Sequence, residues 1–234
     1  MKSVAIITAR GGSKRIPRKN VKNFMGKPML AYAIDAALSS GVFDEVMVST
    51  EDEEIAKIAK ECGAKVPFMR SSEAANDYTP TFDVLKEVIS MYKTSGKEFD
   101  SLCCIYPCVP FLTGETLKNA YEIFSSSDCD TLVPVVRFSF PIQRAFRVDE
   151  NGFLKYREPE HALTRSQDLE PMFHDVGMFY FADIKEMLKN GKLVGNSASY
   201  IEMDEAQVQD IDNETDWEMA EMKYKILHRV SVQA

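Results

Sequence analysis

The residue types best suited to chemistry near the start of the chain are glycines and cations that share one loop. Residues 9–20 read Ala-Arg-Gly-Gly-Ser-Lys-Arg-Ile-Pro-Arg-Lys-Asn and directly follow the apolar run 4–8. The paired glycines Gly11 and Gly12 let backbone N–H groups approach phosphate oxygens without a side chain in the way. The loop therefore predicts a phosphate-binding site. Its candidate ligands are Ala9, Arg10, Gly11, Gly12, Ser13 and Lys14.

The alternative interpretation of this loop is a solvated basic turn. It matches neither G-x-x-x-x-G-K-S/T nor G-x-G-x-x-G, the two best-known phosphate motifs. However, the first 34 residues carry eight basic residues and no acidic one, although the whole chain has a net charge of −8. The remaining residues therefore carry −16. Such a local cluster favours a small polyanion over nucleic acid, which usually needs a broader basic face.

A second chemical feature lies near the other end of the chain, at Asp210 and Asp212. In an extended segment, residues two apart point to the same face. Two carboxylates suit Mg²⁺, which binds one or two of them together with substrate phosphates and water. The alternative is a general acidic surface, because residues 202–221 contain nine acidic residues and neither Lys nor Arg.

The surrounding pattern predicts the elements that position these residues. Apolar runs at 4–8, 45–50, 66–69, 101–106 and 131–136 predict buried strands, and helical patterns alternate with them. The predicted helices cover 28–41, 51–63, 81–92, 113–124, 183–190 and 213–229. This alternation predicts one α/β domain over 1–234, with a mostly parallel sheet and ligands at the carboxyl ends of the strands. Around 137–182 short strands and turns predict a small β-rich insertion.

Location and redox state follow from simpler features. No run of about eighteen apolar residues is present, so no membrane span is predicted. The short apolar run 4–8 passes directly into a polar loop, unlike a signal peptide, so we expect a cytoplasmic protein. The five cysteines are odd in number, and we expect reduced thiols rather than a disulfide scaffold.

Loop 9–20 resembles the signature of the acylneuraminate cytidylyltransferase family, which makes CMP-linked acidic sugars. Further resemblances follow in order along essentially the whole chain: Ser49-Thr50-Glu51-Asp52, Phe68-Met69-Arg70, Asp77 to Thr81, Pro107-x-x-Pro110-Phe111, Arg165-x-Gln167-Asp168-Leu169 and Asp210-Ile211-Asp212. The resemblance implies a Rossmann-like nucleotide-diphospho-sugar transferase fold. It also implies an enzyme whose substrate hydroxyl attacks the α-phosphate of CTP and releases pyrophosphate.

Specific roles also follow from this resemblance. Lys19 would lie near the α-phosphate, Asn20 would contact the nucleotide, and Arg70 and Thr81 would face its cytosine or ribose side. The implied catalytic residues are Lys19, Arg10, Lys14 and Asp210. Asp210 and Asp212 would bind Mg²⁺, and two copies of the chain would pair through the insertion.

The sugar is suggested by a departure from the family pattern. Tyr106 stands where the family commonly has glutamine, and the surrounding residues look most like the pseudaminic acid branch. Legionaminic and N-acetylneuraminic acids remain alternatives, as does a catalytically silent nucleotide-binding regulator. The expected sugar contacts are Tyr106, Gln143, Arg144, Arg165, Gln167 and His174. Gln143, Arg144 and Arg165 are the candidates for binding the sugar's carboxylate, because a planar guanidinium group fits a carboxylate with two hydrogen bonds.

Overall fold

A central sheet organises the computed structural model, which describes residues 1–76 and 78–228. The strands are β1 (Ser3–Thr8), β2 (Asn23–Phe24), β3 (Lys27–Pro28), β4 (Glu45–Ser49), β5 (Ser101–Ile105), β6 (Thr131–Arg137), β7 (Phe146–Val148), β8 (Leu154–Tyr156), β9 (Phe173–Asp175), β10 (Phe179–Asp183) and β11 (Ala198–Glu202). The helices are α1 (Met29–Ser40), α2 (Glu53–Glu61), α3 (Thr81–Thr94), α4 (Gly114–Ser126), α5 (Ile184–Asn190) and α6 (Glu214–Leu227).

The strand order of the sheet is β11-β6-β10-β5-β1-β4, and β9 also pairs with β6. β4, β1, β5, β6 and β11 point in one direction, whereas β10 and β9 run against them. This confirms the predicted α/β fold with a mostly parallel sheet. The centre is apolar on both faces, as the run Val4 to Ile7 shows, because helices cover both faces.

Local signals explain where the helices begin and end. α1 follows Pro28, whose ring fixes its backbone, and ends at Gly41, whose φ of 68° is the left-handed conformation that glycine adopts easily. α2 begins after Asp52, whose side chain accepts a hydrogen bond from the Ile55 amide. α2 thus begins directly beside the loop that follows β1.

A separate apolar cluster holds the segment after β1 against the C-terminal helix. It contains Ile16, Phe24, Met29, Tyr32, Phe111, Ile211, Trp217 and Ala220. The rings of Phe24 and Trp217 meet edge to face at 5.3 Å. Because Ile211 belongs to this cluster, the acidic pair on either side of it is fixed beside the basic loop.

Three expectations need correction or restriction. The predicted strand 66–69 does not form. An isolated bridge between Met47 and Lys65 comes just before it, and Pro67 cannot donate to a ladder. The part of the insertion outside the central sheet is 138–172, because both Phe173–Asp175 and Phe179–Asp183 are strands of that sheet. Residue 229 of the last predicted helix and the motif residue Asp77 lie outside the described residues. No helix within 1–76 and 78–228 is long and apolar enough to span a membrane.

Candidate active site

A cavity of about 560 Å³ opens at the carboxyl ends of β1 and β5, where the fold predicts a ligand site. The predicted residues that line it are Arg10, Ser13, Lys14, Lys19, Asn20, Arg70, Thr81, Tyr106, Asp210 and Asp212. Thr8, Arg15, Asn76, Thr79, Val84, Pro107, Cys108, Gly177 and Ile211 complete the lining. The cavity thus combines several cations with one pair of carboxylates.

The glycine loop is pressed against the start of α2. A Cβ atom on Gly11 would lie 2.5 Å from Asp52 Oδ2, so this approach requires glycine. The Gly11 amide donates to Glu51 Oε1 at 2.7 Å, and the Ser13 amide donates to the Gly11 carbonyl at 3.0 Å. The backbone amides of Gly11 and Ser13 are therefore engaged within the protein. Ala9 is buried below the loop, and its amide donates to the Ser49 carbonyl.

Asn20 is bonded at both ends of its side-chain amide. Nδ2 donates to the Arg10 carbonyl at 2.8 Å, and Cys108 Sγ lies 3.3 Å from Oδ1. Burial raises the pKa of the Cys108 thiol to about 12, a rise that nearby Lys19 partly offsets. The thiol is therefore protonated and can donate. Asn20, which is 5% exposed, thus joins the basic loop to the segment after β5.

Three cations of the basic loop hold the acidic segment in place. Lys19 Nζ donates to the Ile211 carbonyl at 2.6 Å, and Arg15 Nη2 lies 2.8 Å from Asp212 Oδ1. Lys22 pairs with Glu214 at 2.8 Å and lies over the ring of Trp217. The predicted catalytic lysine and the predicted metal ligands are therefore neighbours, although 191 residues separate Lys19 from Asp210 in numbering.

The acidic pair fits the chemistry of a magnesium ion. Asp210 and Asp212 line the same cavity from an extended segment, and Asp212 is already balanced by a cation, Arg15. Within the described residues no three His, Cys, Asp or Glu side chains form a metal cluster. Mg²⁺ does not require one, because it commonly binds one or two carboxylates and completes its octahedron with phosphate and water.

Arg70 is a buried cation on the opposite side of the cavity. Its side chain is 4% exposed, and Nε and Nη2 donate to Ser49 Oγ and Ser49 O at 3.1 and 2.6 Å. Burial lowers the pKa of Arg70, while the nearby carboxylates of Glu51 and Glu87 oppose that shift. Arginine keeps its charge in such surroundings, because its ordinary pKa is so high.

Tyr106 separates this cavity from a second one of about 510 Å³. Its hydroxyl lies 3.3 Å from Thr81 Oγ1, and its ring meets that of Tyr180 edge to face. Tyr180 Oη donates to Asp175 Oδ2 at 2.7 Å. The second cavity is completed by Pro80, Phe82, Asp83, Gly191, Lys192, Leu193 and Val194. Its walls are thus mainly apolar and aromatic, with one cation, Lys192, and two carboxylates, Asp83 and Asp175.

The other predicted sugar contacts belong to the insertion and its edge, and they line neither cavity. Gln143 is buried and donates to the Glu170 carbonyl, and Arg165 pairs with Asp168 at 2.7 Å on the surface. His174 is exposed, with its ring packed on Phe138. Arg144 and Gln167 lie on two short 3-10 turns of the same segment.

Most of the chain is similar to a known protein family. A profile of the family described as cytidylyltransferase matches residues 4–182, from β1 to the end of β10. The chain belongs to the cytidylyltransferase family. This confirms the family predicted from the loop and its accompanying motifs, and the protein is accordingly a nucleotidyltransferase.

Individual cytidylyltransferases resemble the chain over nearly all of its length. It is 41% identical to a pseudaminic acid cytidylyltransferase of Campylobacter jejuni subsp. jejuni serotype O:2, over 97% of this chain and 98% of the relative. It is 30% identical to a CMP-N,N'-diacetyllegionaminic acid synthase of Legionella pneumophila subsp. pneumophila, over 94% and 95%. A CMP:2-keto-3-deoxy-manno-octonic acid synthetase solved with CTP shares the fold, with a TM-score of 0.70, 18% identity and coverage of 98% and 100%.

Some residues of this cytidylyltransferase site were not assigned roles from the sequence. Cys108 follows β5 by three residues, and the rule that ligands bind at the carboxyl ends of strands would have found it. Lys192 to Val194 follow α5, and no local pattern signals them, because they reach the second cavity only through the pairing of β10 with β5. Glu51 belongs to a recognised motif but had no expected function.

Proposed function

We propose that this enzyme transfers the cytidylyl group of CTP to pseudaminic acid and releases pyrophosphate. The observation that carries the proposal is the convergence of Lys19, Arg70 and the pair Asp210 and Asp212 on one cavity. The sugar is supported by the near full-length relatives named pseudaminic acid cytidylyltransferase, at 41% and 40% identity. Legionaminic and N-acetylneuraminic acids are the competing substrates.

The chemistry asks the protein chiefly to position and neutralise charge. The anomeric hydroxyl of the sugar gives up its proton to solvent, and its oxygen bonds to the α-phosphorus as the bond to pyrophosphate breaks in line. Arg10 and Lys14 face the triphosphate, and Lys19 faces the α-phosphate, where negative charge develops. Lys19 reaches this point already oriented, because its ammonium group donates to the Ile211 carbonyl at 2.6 Å.

The acidic pair is proposed to hold Mg²⁺. Asp210 and Asp212 would be its protein ligands, and the ion would neutralise phosphate charge and lower the pKa of the attacking hydroxyl when bound. Arg15 now balances Asp212, so we expect it to turn toward the phosphates when the ion and CTP are present. The pairing of Asp212 with a cation in this structure supports the assignment.

The second cavity is proposed to receive the sugar. Thr81 and Tyr106 line both cavities, so a sugar held beside them presents its hydroxyl to the nucleotide. Tyr180, Leu193 and Val194 offer an apolar surface suited to a sugar with acylamido groups. Lys192 offers a cation for its carboxylate.

The enzyme is proposed to work as a cytoplasmic homodimer. The part of the insertion outside the sheet exposes large apolar side chains: Phe140, Phe146, Val148, Phe153, Leu154 and Leu163. An apolar surface of this size in a biosynthetic enzyme suits burial against a second copy. Arg144 and Arg165 would then act near the sugar bound to the partner subunit, since they line neither cavity of their own subunit.

The decisive experiment measures pyrophosphate release from CTP and Mg²⁺ with each of the three sugars in parallel. Release with pseudaminic acid, at least tenfold faster than with the other two, is the expected result. Faster release with another sugar would keep the reaction and overturn the substrate. CTP binding without turnover on any of the three sugars would favour the regulator. Asp210→Asn is the control, because it should remove Mg²⁺-stimulated release while the protein stays folded.

A further inference from the structure

One carboxylate, that of Glu51, contacts both the phosphate loop, at Gly11, and Arg70, although it does not itself line the nucleotide cavity. Oε1 accepts the Gly11 amide at 2.7 Å. Oε2 lies 3.9 Å from Arg70 Nη1 and is buried without a hydrogen-bond partner. A buried carboxylate oxygen that lacks a hydrogen bond is costly, so its place requires compensation from a nearby charge.

The first contact fixes the phosphate loop. Gly11 is the first of the two glycines, and the absence of its Cβ lets the loop approach Asp52 closely. The bond to Glu51 therefore attaches the start of the loop to the end of β4. It thereby positions the next side chains of the loop, Ser13 and Lys14, which line the cavity.

The second contact fixes Arg70. Its guanidinium group is bound to Ser49, and its backbone amide donates to the Thr50 carbonyl at 2.8 Å. These bonds place the group at the end of β4 but do not compensate its buried charge. The carboxylate of Glu51 supplies the larger part of that compensation from 3.9 Å, and that of Glu87 adds to it.

We propose that Glu51 is a positioning residue that couples Arg70, on one side of the nucleotide cavity, to the phosphate loop on the other. The proposal rests on the proposed binding of CTP in this cavity. The Glu51 carboxylate holds Gly11 through an acceptor oxygen and Arg70 through its negative charge. Substitutions can therefore remove the charge with or without the acceptor. Glu51→Gln keeps the acceptor and removes the charge, whereas Glu51→Ala removes both.

The test measures CTP binding by calorimetry, so that it does not depend on which sugar the enzyme accepts. We expect Glu51→Gln to weaken CTP binding about fivefold and Glu51→Ala about thirtyfold. Glu51→Gln should also weaken the binding of CMP by the same factor. CMP lacks the β- and γ-phosphates, but Arg70 faces the cytosine or ribose side, which CMP keeps. Glu51→Ala should weaken CTP by a larger factor than CMP, because it also releases the phosphate loop.

A double-mutant cycle separates coupling from a general loss of structure. If Glu51 acts through Arg70, then Glu51→Gln in an Arg70→Met background should weaken CTP binding less than twofold. Glu53→Gln, an exposed carboxylate at the start of α2, is the matched control and should bind CTP as the wild type does. Thermal unfolding of each variant shows whether it is folded.

The outcomes are distinct. Multiplicative effects of the Glu51 and Arg70 substitutions, or wild-type CTP binding by Glu51→Ala, would overturn the coupling. A wild-type protein that binds no CTP would overturn both proposals. A wild-type protein that binds CTP but transfers its cytidylyl group to no sugar would overturn the proposed function alone, because the double-mutant cycle would still measure the coupling.

Discussion

The nucleotide cavity and the insertion differ in how completely one chain builds them. Around the cavity, polar side chains have partners within the same chain: Asn20 bonds Arg10 and Cys108, and Lys19 bonds Ile211. In the insertion, the β7-β8 hairpin forms a separate two-stranded sheet, and apolar side chains such as Leu154 and Leu163 face solvent. A two-stranded hairpin is marginal alone, so it needs a further surface.

This difference indicates where substrate recognition can be separated from nucleotide chemistry. The cavity is organised before any ligand arrives, since its loop, its acidic segment and Arg70 are held by protein contacts. The insertion offers exposed groups whose use depends on another molecule. Damage to the first region should therefore affect the chemical step, while damage to the second should affect assembly and sugar binding.

The largest expected effect is that of Lys19→Met. Removal of a cation beside the charge that develops at the α-phosphate should lower kcat/KM about a thousandfold. CTP binding should fall much less, because Arg10 and Lys14 also line the cavity. Initial rates of pyrophosphate release and calorimetry with CTP measure the two quantities.

Lys22→Met is the matched control for Lys19→Met. Lys22 lies two residues beyond the same loop and pairs with Glu214 outside the cavity in a partly exposed ion pair, so its loss should change kcat/KM less than threefold. Equal damage from the two substitutions would mean that the loop acts only through its total charge, and the assignment of Lys19 would fail.

The same contrast explains which parts of the molecule could be predicted from the sequence. Loop 9–20 and the pair Asp210 and Asp212 were recognisable because glycine spacing and carboxylate spacing carry local information. The short contact from Lys19 to Ile211 could not be derived locally, because the apolar packing of Ile211 and Trp217 creates it. The strand predicted at 66–69 failed because Pro67 cannot donate to a ladder, so the pairing with β4 ends at Lys65.

For the sugar site, the sequence indicated which residue types could bind the sugar better than it indicated where they lie. Arg144, Arg165 and His174 were selected as groups able to bind a sugar acid, yet local pattern cannot tell whether such groups face their own cavity. Tyr106 was identifiable because it stands where the family commonly has glutamine, and the structure places it directly after β5. The ring of Tyr180 contacts it only because β10 runs antiparallel to β5, a pairing that joins residues far apart in sequence.

The second prediction tests the insertion as a dimer surface. Val148 and Leu154 face each other across the hairpin and are 67% and 65% exposed. The double variant Val148→Lys and Leu154→Glu removes this apolar surface while opposite charges preserve the cross-strand pair. We expect a monomer by sedimentation and activity about a hundredfold lower, with CTP binding unchanged.

The control for this surface is Leu188→Glu, an exposed apolar residue of α5 outside the insertion. It should leave both the mass and the rate unchanged. A double variant that is monomeric yet fully active would show that the insertion does not contribute to the site of a partner. A wild-type monomer would contradict the dimer itself.

The third prediction compares a buried ion pair in the main sheet with an exposed one in the insertion. Glu45 is 2% exposed and accepts hydrogen bonds from Lys65, Lys97 and Tyr92. Burial alone would raise its pKa, but these partners outweigh it and lower the pKa to about 2. We expect Glu45→Gln to lower the free energy of unfolding by about 2 kcal/mol at pH 7.

The sign of the pH dependence follows from the lowered pKa of Glu45. Its contribution is present above the unfolded value, 4.5, and is lost as pH falls toward 2. The difference between wild type and Glu45→Gln in urea unfolding should therefore shrink across that range. Asp168→Asn, which breaks the exposed pair with Arg165, should cost less than about 0.5 kcal/mol. A larger cost for Asp168→Asn would reverse the comparison between the two regions.

The smallest effect is expected at Cys108. It measures how much one hydrogen bond inside the site, from Cys108 to Asn20, contributes to CTP binding. A thiol is a weak donor, so Cys108→Ala should raise KM for CTP only about threefold, through a less well held Asn20. The KM of the sugar should not change. Cys108→Ser should restore the value, because a hydroxyl donates to the same Asn20 oxygen, whereas Cys129→Ala, which lies outside the cavity, should have no effect. If serine behaved like alanine, the bond to Asn20 would have no part in nucleotide binding, and Cys108 would act only by filling space.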